Sequence, residues 1–444
     1  MGGRTLAIIL AAGQGTRMRS KLPKVMHPVG GLAMVEHVLA AAREAGVDDT
    51  ALVVAPGATW PDDVLARNAR ACAYTQKAQT GTADAVLAAR GAFEEPDVGA
   101  VVVLFGDNPL ITGATIARVL GAVQHGADVA VLGFETSEPH GYGRILRDGG
   151  GQVVAIREEK DATEEERRVT LCNSGVMAIR AGAPLQGLDE IGNHNVKGEF
   201  YLTDIVAIGR EKGWRMVCQE ADFAEVMGVN DRTQLAVAEA EFQHRARVRA
   251  MEGATLQAPE TVFFSYDTVI GDDVTIEPNV VFGLGVSVGD GCRVKAFTHL
   301  ENTRLEADVV VGPFARSRGG ASLASGVRIG NFVELKNAQL EAGVKVSHLT
   351  YLGDASVGAG ANVGAGTITC NYDGTNKHRT EIGAGAFIGS NSALVAPVVI
   401  GDRAFVGSGS VITDSVPADA LAIARGRQAT KPGRSPTKRK DAGS

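Results

Sequence analysis

From about residue 262 onward, aliphatic side chains recur at every sixth position, a spacing that neither an α-helix nor a simple hairpin produces. Ile270, Ile276, Phe282, Val288 and Val294 form one run, and Ile382, Ile388, Leu394, Ile400, Val406 and Ile412 form another. Leu323, Ile329 and Leu335 keep the same step, after which the register slips and resumes at Val357 and Val363. Glycine often follows, as in Ile270-Gly271, Val288-Gly289, Ile382-Gly383, Ile388-Gly389, Ile400-Gly401 and Val406-Gly407. A hexapeptide period is the signature of a parallel β-helix. Each short strand buries one aliphatic side chain in a continuous core, and glycines permit the tight corners. This accounts for the glycines of the second half of the chain. One polar run, Cys370-Asn-Tyr-Asp-Gly-Thr-Asn-Lys-His-Arg379, interrupts the repeat and has the length of a protruding loop.

The first half follows a different rule. Residues 1–228 alternate short apolar strands (Leu6–Leu10, Ala51–Ala55, Ala100–Phe105, Val129–Phe134) with amphipathic helical stretches such as Met34–Ala45 and Thr82–Arg90. That alternation predicts an α/β Rossmann-like domain, a parallel sheet with helices on both faces. The apolar run Thr5–Gly13 leads into a Gly/Arg/Lys motif and is too short to span a bilayer, so it reads as a buried strand and not as a membrane or secretory segment. Asp231–Glu252 lacks Gly and Pro and follows a capping Asn230-Asp231, which predicts a long connecting helix. A chain of 444 residues exceeds the usual size of one core. The expected division is therefore 1–228, a helical linker at 229–252, and a β-helix at 253–444 with a flexible basic tail from about 428.

The net charge of −7 gives no basic excess that would mark a nucleic-acid binder, and the basic tail lacks interleaved aromatics. The five cysteines, Cys72, Cys172, Cys218, Cys292 and Cys370, stand singly, which suits a reducing, cytoplasmic compartment.

Two clusters carry chemistry. In Leu10-Ala-Ala-Gly-Gln-Gly-Thr-Arg-Met18, a glycine-rich turn follows a strand and leads to Leu22-Pro-Lys24. Backbone N–H groups of such a turn approach phosphates closely, and Arg17 and Lys24 balance the charge. Phe105-Gly106-Asp107 places an acidic group just past a strand, where open α/β sheets bind ligands and where Asp107 suits Mg²⁺. In the repeat region, His348 is the candidate general base among polar runs Asn331–Lys336, Ser347–Asp354, Asn362–Gly366 and Cys370–Gly374. A β-helix needs only aliphatics and glycines to stand. A Cys370 nucleophile beside His378 is disfavoured because no orienting third group is evident in the sequence.

The first motif resembles the signature of the sugar-phosphate nucleotidyltransferases. Further segments extend the resemblance over nearly the whole chain to the family of bifunctional N-acetylglucosamine-1-phosphate uridyltransferases and glucosamine-1-phosphate acetyltransferases: Gln76 with Gly81-Thr82, Gly141–Ile145, Glu158–Asp161, Asn173–Gly175, Gly198–Asp204 and Gly228–Asp231. The resemblance implies that Leu10, Ala11, Ala12, Gly13, Gln76, Gly81, Thr82, Phe105 and Gly106 surround UTP, with Arg17 and Lys24 catalytic. Gly143, Glu158, Asn173, Tyr201 and Thr203 would hold N-acetylglucosamine 1-phosphate, and Asp107 and Asn230 would bind Mg²⁺.

In the second site it implies that His348 takes the proton of the amine of glucosamine 1-phosphate, with Arg318, Lys336, Tyr351 and Asn362 on the sugar phosphate. Acetyl-CoA would lie along Ala365, Asn371, Tyr372, Ser390, Ser408 and Arg425, with Lys377 reaching in from the loop. It further implies a left-handed β-helix, an exception to the usual crossover rule, and a homotrimer with acetyl sites between subunits. Two positions depart from the family pattern: Arg318-Gly-Gly320 replaces Arg-Pro-Gly, and Ser408 stands where alanine is usual. Two other readings, a β-helix that only regulates or oligomerises and a scaffold that has lost its chemistry, are opposed by the His348 cluster and by intact Arg17, Lys24 and Asp107.

Overall fold

The computed structural model describes residues 3–434; the expected basic tail lies outside the described residues from 435 on, and 428–434 is exposed loop. The chain divides into two compact units between Arg245 and Ala246. That division falls inside a single helix, Arg232–Ala250.

The first unit is built on seven strands: β1 (Arg4–Leu10), β2 (Asp49–Val54), β3 (Ala71–Thr75), β4 (Val98–Phe105), β5 (Val129–Glu135), β6 (Leu171–Arg180) and β7 (Met216–Glu220). Their spatial order is β7-β5-β6-β4-β1-β2-β3. The strands around β1 and β4 are apolar on both faces because both faces are covered. Helices α1 (Met34–Glu44) and α2 (Gly113–Gln124) bury Val35, Val38, Ile116 and Val119 against one face. Thr82–Ala88 and Ile205–Glu211 cover the other with Ala83, Val86, Ile205 and Val206.

The expectation of a parallel sheet needs one correction, because β6 runs antiparallel to both β4 and β5. No crossover helix separates β5 from β6. The chain instead folds the hairpin Arg144–Arg147/Val153–Arg157 at the carboxyl edge and re-enters the sheet from that same edge. The Thr82–Arg90 helix also breaks, into 82–88 and 90–93. The connecting helix begins as its cap implies: the Asp231 carboxylate accepts from the N–H groups of Thr233 and Gln234 at 3.0 and 2.9 Å.

The second unit is a parallel β-helix. Short strands at 274–276, 293–294, 310–311, 328–331, 345–348, 362–363, 387–388 and 405–406 pair in parallel, coil upon coil. The sixth-position aliphatics are its core: Ile276, Phe282, Val294, Leu335, Ile388 and Ile400 are all buried, and only Ile270, on the outermost coil, is half-exposed. The slip in the repeat has a simple origin. Val311 pairs with Ile329, a coil of 18, but Ile329 pairs with Val346 and Val346 with Val363, coils of 17 that each drop a residue at a corner. Val363 then pairs with Ile388, a coil of 25 that contains the protruding loop. At one corner of the prism Phe297, Phe314, Phe332 and Leu349 all take positive φ and remain exposed. The three rings stack at 4.8 and 5.1 Å between centroids.

Two candidate active sites

At the carboxyl ends of β1 and β4, the Gly106 N–H donates to the Leu10 carbonyl at 3.0 Å, sewing the glycine-rich turn to the loop that carries Asp107. A cavity of about 410 Å³ opens there, lined by Leu10, Ala11, Ala12, Gly13, Lys24, Gln76, Gly81, Thr82, Phe105 and Asp107 among others. Gly81, at φ +144, allows the close approach: a Cβ there would lie 2.3 Å from the Phe200 carbonyl oxygen. The Lys24 ammonium sits on Asp107 Oδ2 and, at 3.2 Å, on Asn230 Oδ1. Asn230 is brought in because the Val229 N–H donates to the Asp107 carbonyl at 2.9 Å.

The expected sugar residues do not line this cavity, but pairs of them are bonded to one another. The Asn173 N–H donates to the Gly143 carbonyl at 2.8 Å, and Thr203 Oγ1 donates to Glu158 Oε1 at 3.4 Å. Glu158 packs over Gly143, and the Phe105 ring, which lines the cavity, packs over Gly175. Burial raises the Glu158 carboxyl above its ordinary range, with the Thr203 hydroxyl acting against it. Tyr201 is buried, which pushes its phenol up to about 12.

Arg17 is set apart from the group of Lys24, Asp107 and Asn230. It is exposed on the turn Thr16–Met18, makes no ion pair among the described residues, and does not line the cavity. Five further residues line the cavity: the polar Gln14, Gln79 and Glu199, with Val25 and Ala85. Gln79 donates to the Ala12 carbonyl at 2.5 Å from a positive φ of 48°, tying two loops together. Its position within the Gln76–Thr82 run was the available signal. Asp84, which accepts from Gln76 Nε2 at 2.8 Å, had none.

On the β-helix the expected residues fall into two groups. His348 is exposed at the same corner as the phenylalanines, and its Nδ1 pairs with Asn331 Oδ1 at 2.6 Å. That bond leaves Nε2 as the acceptor. Corner N–H groups hydrogen-bond from Gly366 to the His348 carbonyl, from Asn391 to Ala365 and from Gly409 to Ser390. His348, Ala365, Ser390 and Ser408 therefore form one column on successive coils, and Arg425 closes it by donating to the Ser408 carbonyl at 2.6 Å. Past His348 the positive-φ residues change from Phe332 and Leu349 to Gly366, Asn391 and Gly409, so the corner becomes less bulky.

The second group lies on another strand ladder. Arg318 and Lys336 are register partners, and Lys336 is partnered by Gly353. The Tyr351 hydroxyl and the Asn371 amide both crowd the Gly353 Cα, within 2.8 Å of where a Cβ would stand. Asn337 and Asn371 donate to the two oxygens of Asp354 at 2.8 and 2.5 Å, and Lys336 lies 3.9 Å away. Burial works to raise the Asp354 carboxyl, but the two amides and Lys336 outweigh it and hold it low. The loop returns Lys377 beside Lys336, whose ammonium depresses the Lys377 pKa. Two crowded ammonium groups are a ready site for a phosphate monoester.

Asn362 stands on a third position, paired with Lys345 and Phe387. Tyr372 belongs to the loop itself, with its hydroxyl donating to the Gly374 carbonyl at 2.6 Å. The loop also corrects one expectation. His378 does have an orienting carboxylate, since its Nε2 pairs with Asp373 at 2.7 Å. Asp373 in turn accepts from the N–H groups of Asn376 and Thr375; these and His378 hold it at about 2, so the trio shapes a turn. His378 makes no hydrogen bond to the Cys370 thiol, and all five cysteines are unpaired.

Gly319 and Gly320 take φ of 69° and 92°. Proline fixes φ near −65°, so Arg318-Gly-Gly320 uses a backbone that Arg-Pro-Gly cannot adopt.

Comparison with known proteins agrees with the two units. The MobA-like NTP transferase domain model matches residues 7–169, and the bacterial transferase hexapeptide model (six repeats) matches 267–302 and 379–414. The β-helix is accordingly of the left-handed hexapeptide type. Proteins called bifunctional protein GlmU are similar end to end. That of Agrobacterium fabrum is 55% identical over 97% of this chain and 95% of the relative; that of Azorhizobium caulinodans is 57% identical over 96% of each; and that of Brucella anthropi is 53% identical over 97% and 94%. With two separate sites on one chain and full-length identity at this level, the chain belongs to the bifunctional GlmU family.

Proposed function

We propose that the cavity of the first unit transfers uridylyl from UTP to N-acetylglucosamine 1-phosphate, and that the β-helix transfers acetyl from acetyl-CoA to glucosamine 1-phosphate. The chain is a bifunctional transferase, a nucleotidyltransferase and an acetyltransferase, and its product is UDP-N-acetylglucosamine. This is a precursor of cell-wall peptidoglycan and lipopolysaccharide. The observation that carries the first half is the convergence of Lys24, Asp107 and Asn230 on the glycine-rich turn at the sheet edge.

Every uridylyl reactant is anionic, so catalysis there is positioning and charge neutralisation. Leu10–Gly13, Gln76, Gly81 and Thr82 seat the nucleotide, and Gly143, Glu158, Asn173 and Thr203 orient the sugar beside the Tyr201 wall. A sugar-phosphate oxygen attacks the α-phosphorus and pyrophosphate leaves. Asp107 and Asn230 offer a carboxylate and an amide oxygen, the hard oxygen donors that would hold a Mg²⁺. No group of three or more His, Cys, Asp or Glu able to hold a metal occurs among the described residues, which favours a metal shared with nucleotide over a protein cage. A Mg²⁺ held there would supply charge neutralisation on the phosphates. Lys24 neutralises the same oxygens from the protein side, and Arg17, which makes no ion pair among the described residues, is available to the triphosphate.

In acetyl transfer the His348 Nε2 takes a proton from the sugar amine as nitrogen attacks the thioester carbon, and CoA leaves as the thiol. Arg318, Lys336, Tyr351 and Lys377 receive the sugar phosphate, and the column Ala365–Ser390–Ser408 with Arg425 receives acetyl-CoA. The two groups lie on different ladders of one chain, and the cavity that His348 lines contains none of Arg318, Lys336, Tyr351 or Asn362. That separation supports a homotrimer whose sites are completed between copies. No helix among the described residues is long and apolar enough to cross a membrane, and unpaired cysteines fit a cytoplasmic enzyme.

The two reactions are separable by assay. Thiol release is followed with glucosamine 1-phosphate and acetyl-CoA, and pyrophosphate release with N-acetylglucosamine 1-phosphate, UTP and Mg²⁺. His348→Ala is expected to abolish only the first and Asp107→Ala only the second. Loss of both from either change contradicts two independent sites.

A further inference from the structure

We propose that Lys24 occupies the metal position of the nucleotide-free enzyme and yields it only to a metal that arrives with nucleotide, so that metal and UTP bind as a unit. This rests on the uridylyl reading of the same site. The Lys24 ammonium pairs with an oxygen of each residue offered to the metal, Asp107 Oδ2 and Asn230 Oδ1. The pair is sheltered, with the Lys24 and Asp107 side chains 13% and 15% exposed. A divalent cation and an ammonium cannot share one carboxylate oxygen without strong repulsion at low effective dielectric. A bare metal ion must therefore evict a paired lysine and leave its charge without a partner, which costs more than breaking an exposed pair.

A metal carried on a triphosphate changes the balance, because it brings its own anions. Lys24 lines the same cavity as Leu10–Gly13, so its ammonium can pass from Asp107 to a phosphate oxygen and remain paired throughout. Its backbone need not move. Lys24 opens a short turn behind Pro23, and the Gly15 position packs on its Cβ, which leaves the outer side chain as the moving part.

Manganese binding to the full chain without nucleotide, read as loss of the free-ion electron paramagnetic resonance signal, tests this. Lys24→Gln and Lys24→Met are expected to bind Mn²⁺ at least tenfold tighter than the wild type, and added UTP is expected to tighten binding far more in the wild type than in either variant. Variants that bind no tighter than the wild type overturn the proposal. Should a variant unfold, the wild type still decides: the Lys24 Nζ resonance is expected to shift with Mg²⁺ at low concentration only when UTP is present, and an equal shift with Mg²⁺ alone overturns it. Asp107→Asn separates the two levels. If it lowers Mn²⁺ affinity in the UTP complex while the lysine variants behave as wild type, only the present inference fails; if it changes nothing, the metal assignment itself fails.

Discussion

In the proposed acetyl transfer, one bond fits His348 to serve as the base. An exposed imidazole is free to rotate and to exchange tautomers, and the Asn331 contact at Nδ1 removes both freedoms by holding the ring with Nε2 outward. Asn331→Ala is expected to lower kcat of acetyl transfer roughly tenfold or more with little change in KM, since the loss is one of orientation; a KM effect alone would contradict it. Glu158 works in the opposite sense, as a charge kept at a cost. Its carboxyl pKa is raised from the ordinary 4.5, chiefly by burial. The folded state thus binds the proton more tightly than the unfolded one, and stability falls as pH rises from the unfolded value through the raised folded one. Glu158→Gln is therefore expected to gain about 1 kcal/mol at neutral pH and nothing well below pH 4, while weakening affinity for N-acetylglucosamine 1-phosphate. Thermal melts at the two pH values, beside a KM measurement, check both signs. The glycine-rich turn, Asp107 and His348 were legible as chemistry in the sequence because each interrupts a pattern that did not need it. The supporting roles of Asn331, Asp84 and Gln79 were not, even though Asn331 and Gln79 stand in runs already singled out, because a supporting amide or carboxylate looks like any polar residue until its partner is adjacent.

The hairpin-like loop shows what one element adds to a regular solenoid. A β-helix coil closes in 17 or 18 residues, and the loop lengthens one coil to 25. Tyr372 bridges Lys377 across it, the Asp373 turn closes its tip, and the result sets Lys377 beside Lys336. Replacing 372–377 by a two-residue Gly turn is expected to keep the melting transition, because coils above and below bury their own aliphatics. It is expected to lower kcat/KM for glucosamine 1-phosphate in acetyl transfer by about tenfold or more, the scale of one lost charge-assisted contact. Uridylyl transfer should be unchanged, and a matching loss there would sink the assignment. Elements with strong periodicity were read correctly from residue types alone: the sixth-position aliphatics, the strand Arg4–Leu10, and the helix capped at Asp231. The direction of β6 was not, since an apolar strand reads the same whichever way it runs, and only the hairpin before it sets the edge from which it enters.

At the scale of the whole molecule, the chain carries two units that can be understood separately, joined through one uninterrupted helix. The exposed stack of Phe297, Phe314 and Phe332, with Leu349 beside His348, is a continuous apolar strip that a single copy leaves in water. Phe314→Glu places a charge in that strip. If the strip seats the proposed homotrimer, the change is expected to shift sedimentation from trimer toward monomer and to reduce acetyl transfer with it, leaving uridylyl transfer intact; a trimer that persists with full acetyl transfer would remove the strip from the subunit contact. What the residue order alone determined was everything local or periodic. The six-residue step specified the solenoid, the strand–helix alternation specified the α/β unit, and the glycine-rich turn and His348 cluster marked the two sites. What only the tertiary structure decided was convergence: Lys24 on Asp107 and Asn230, Thr203 on Glu158, His348 in a column with Ser390 and Ser408, Lys377 against Lys336. A period repeats along the chain and can be counted, whereas a meeting of residues far apart in sequence depends on how every intervening coil and crossover closes.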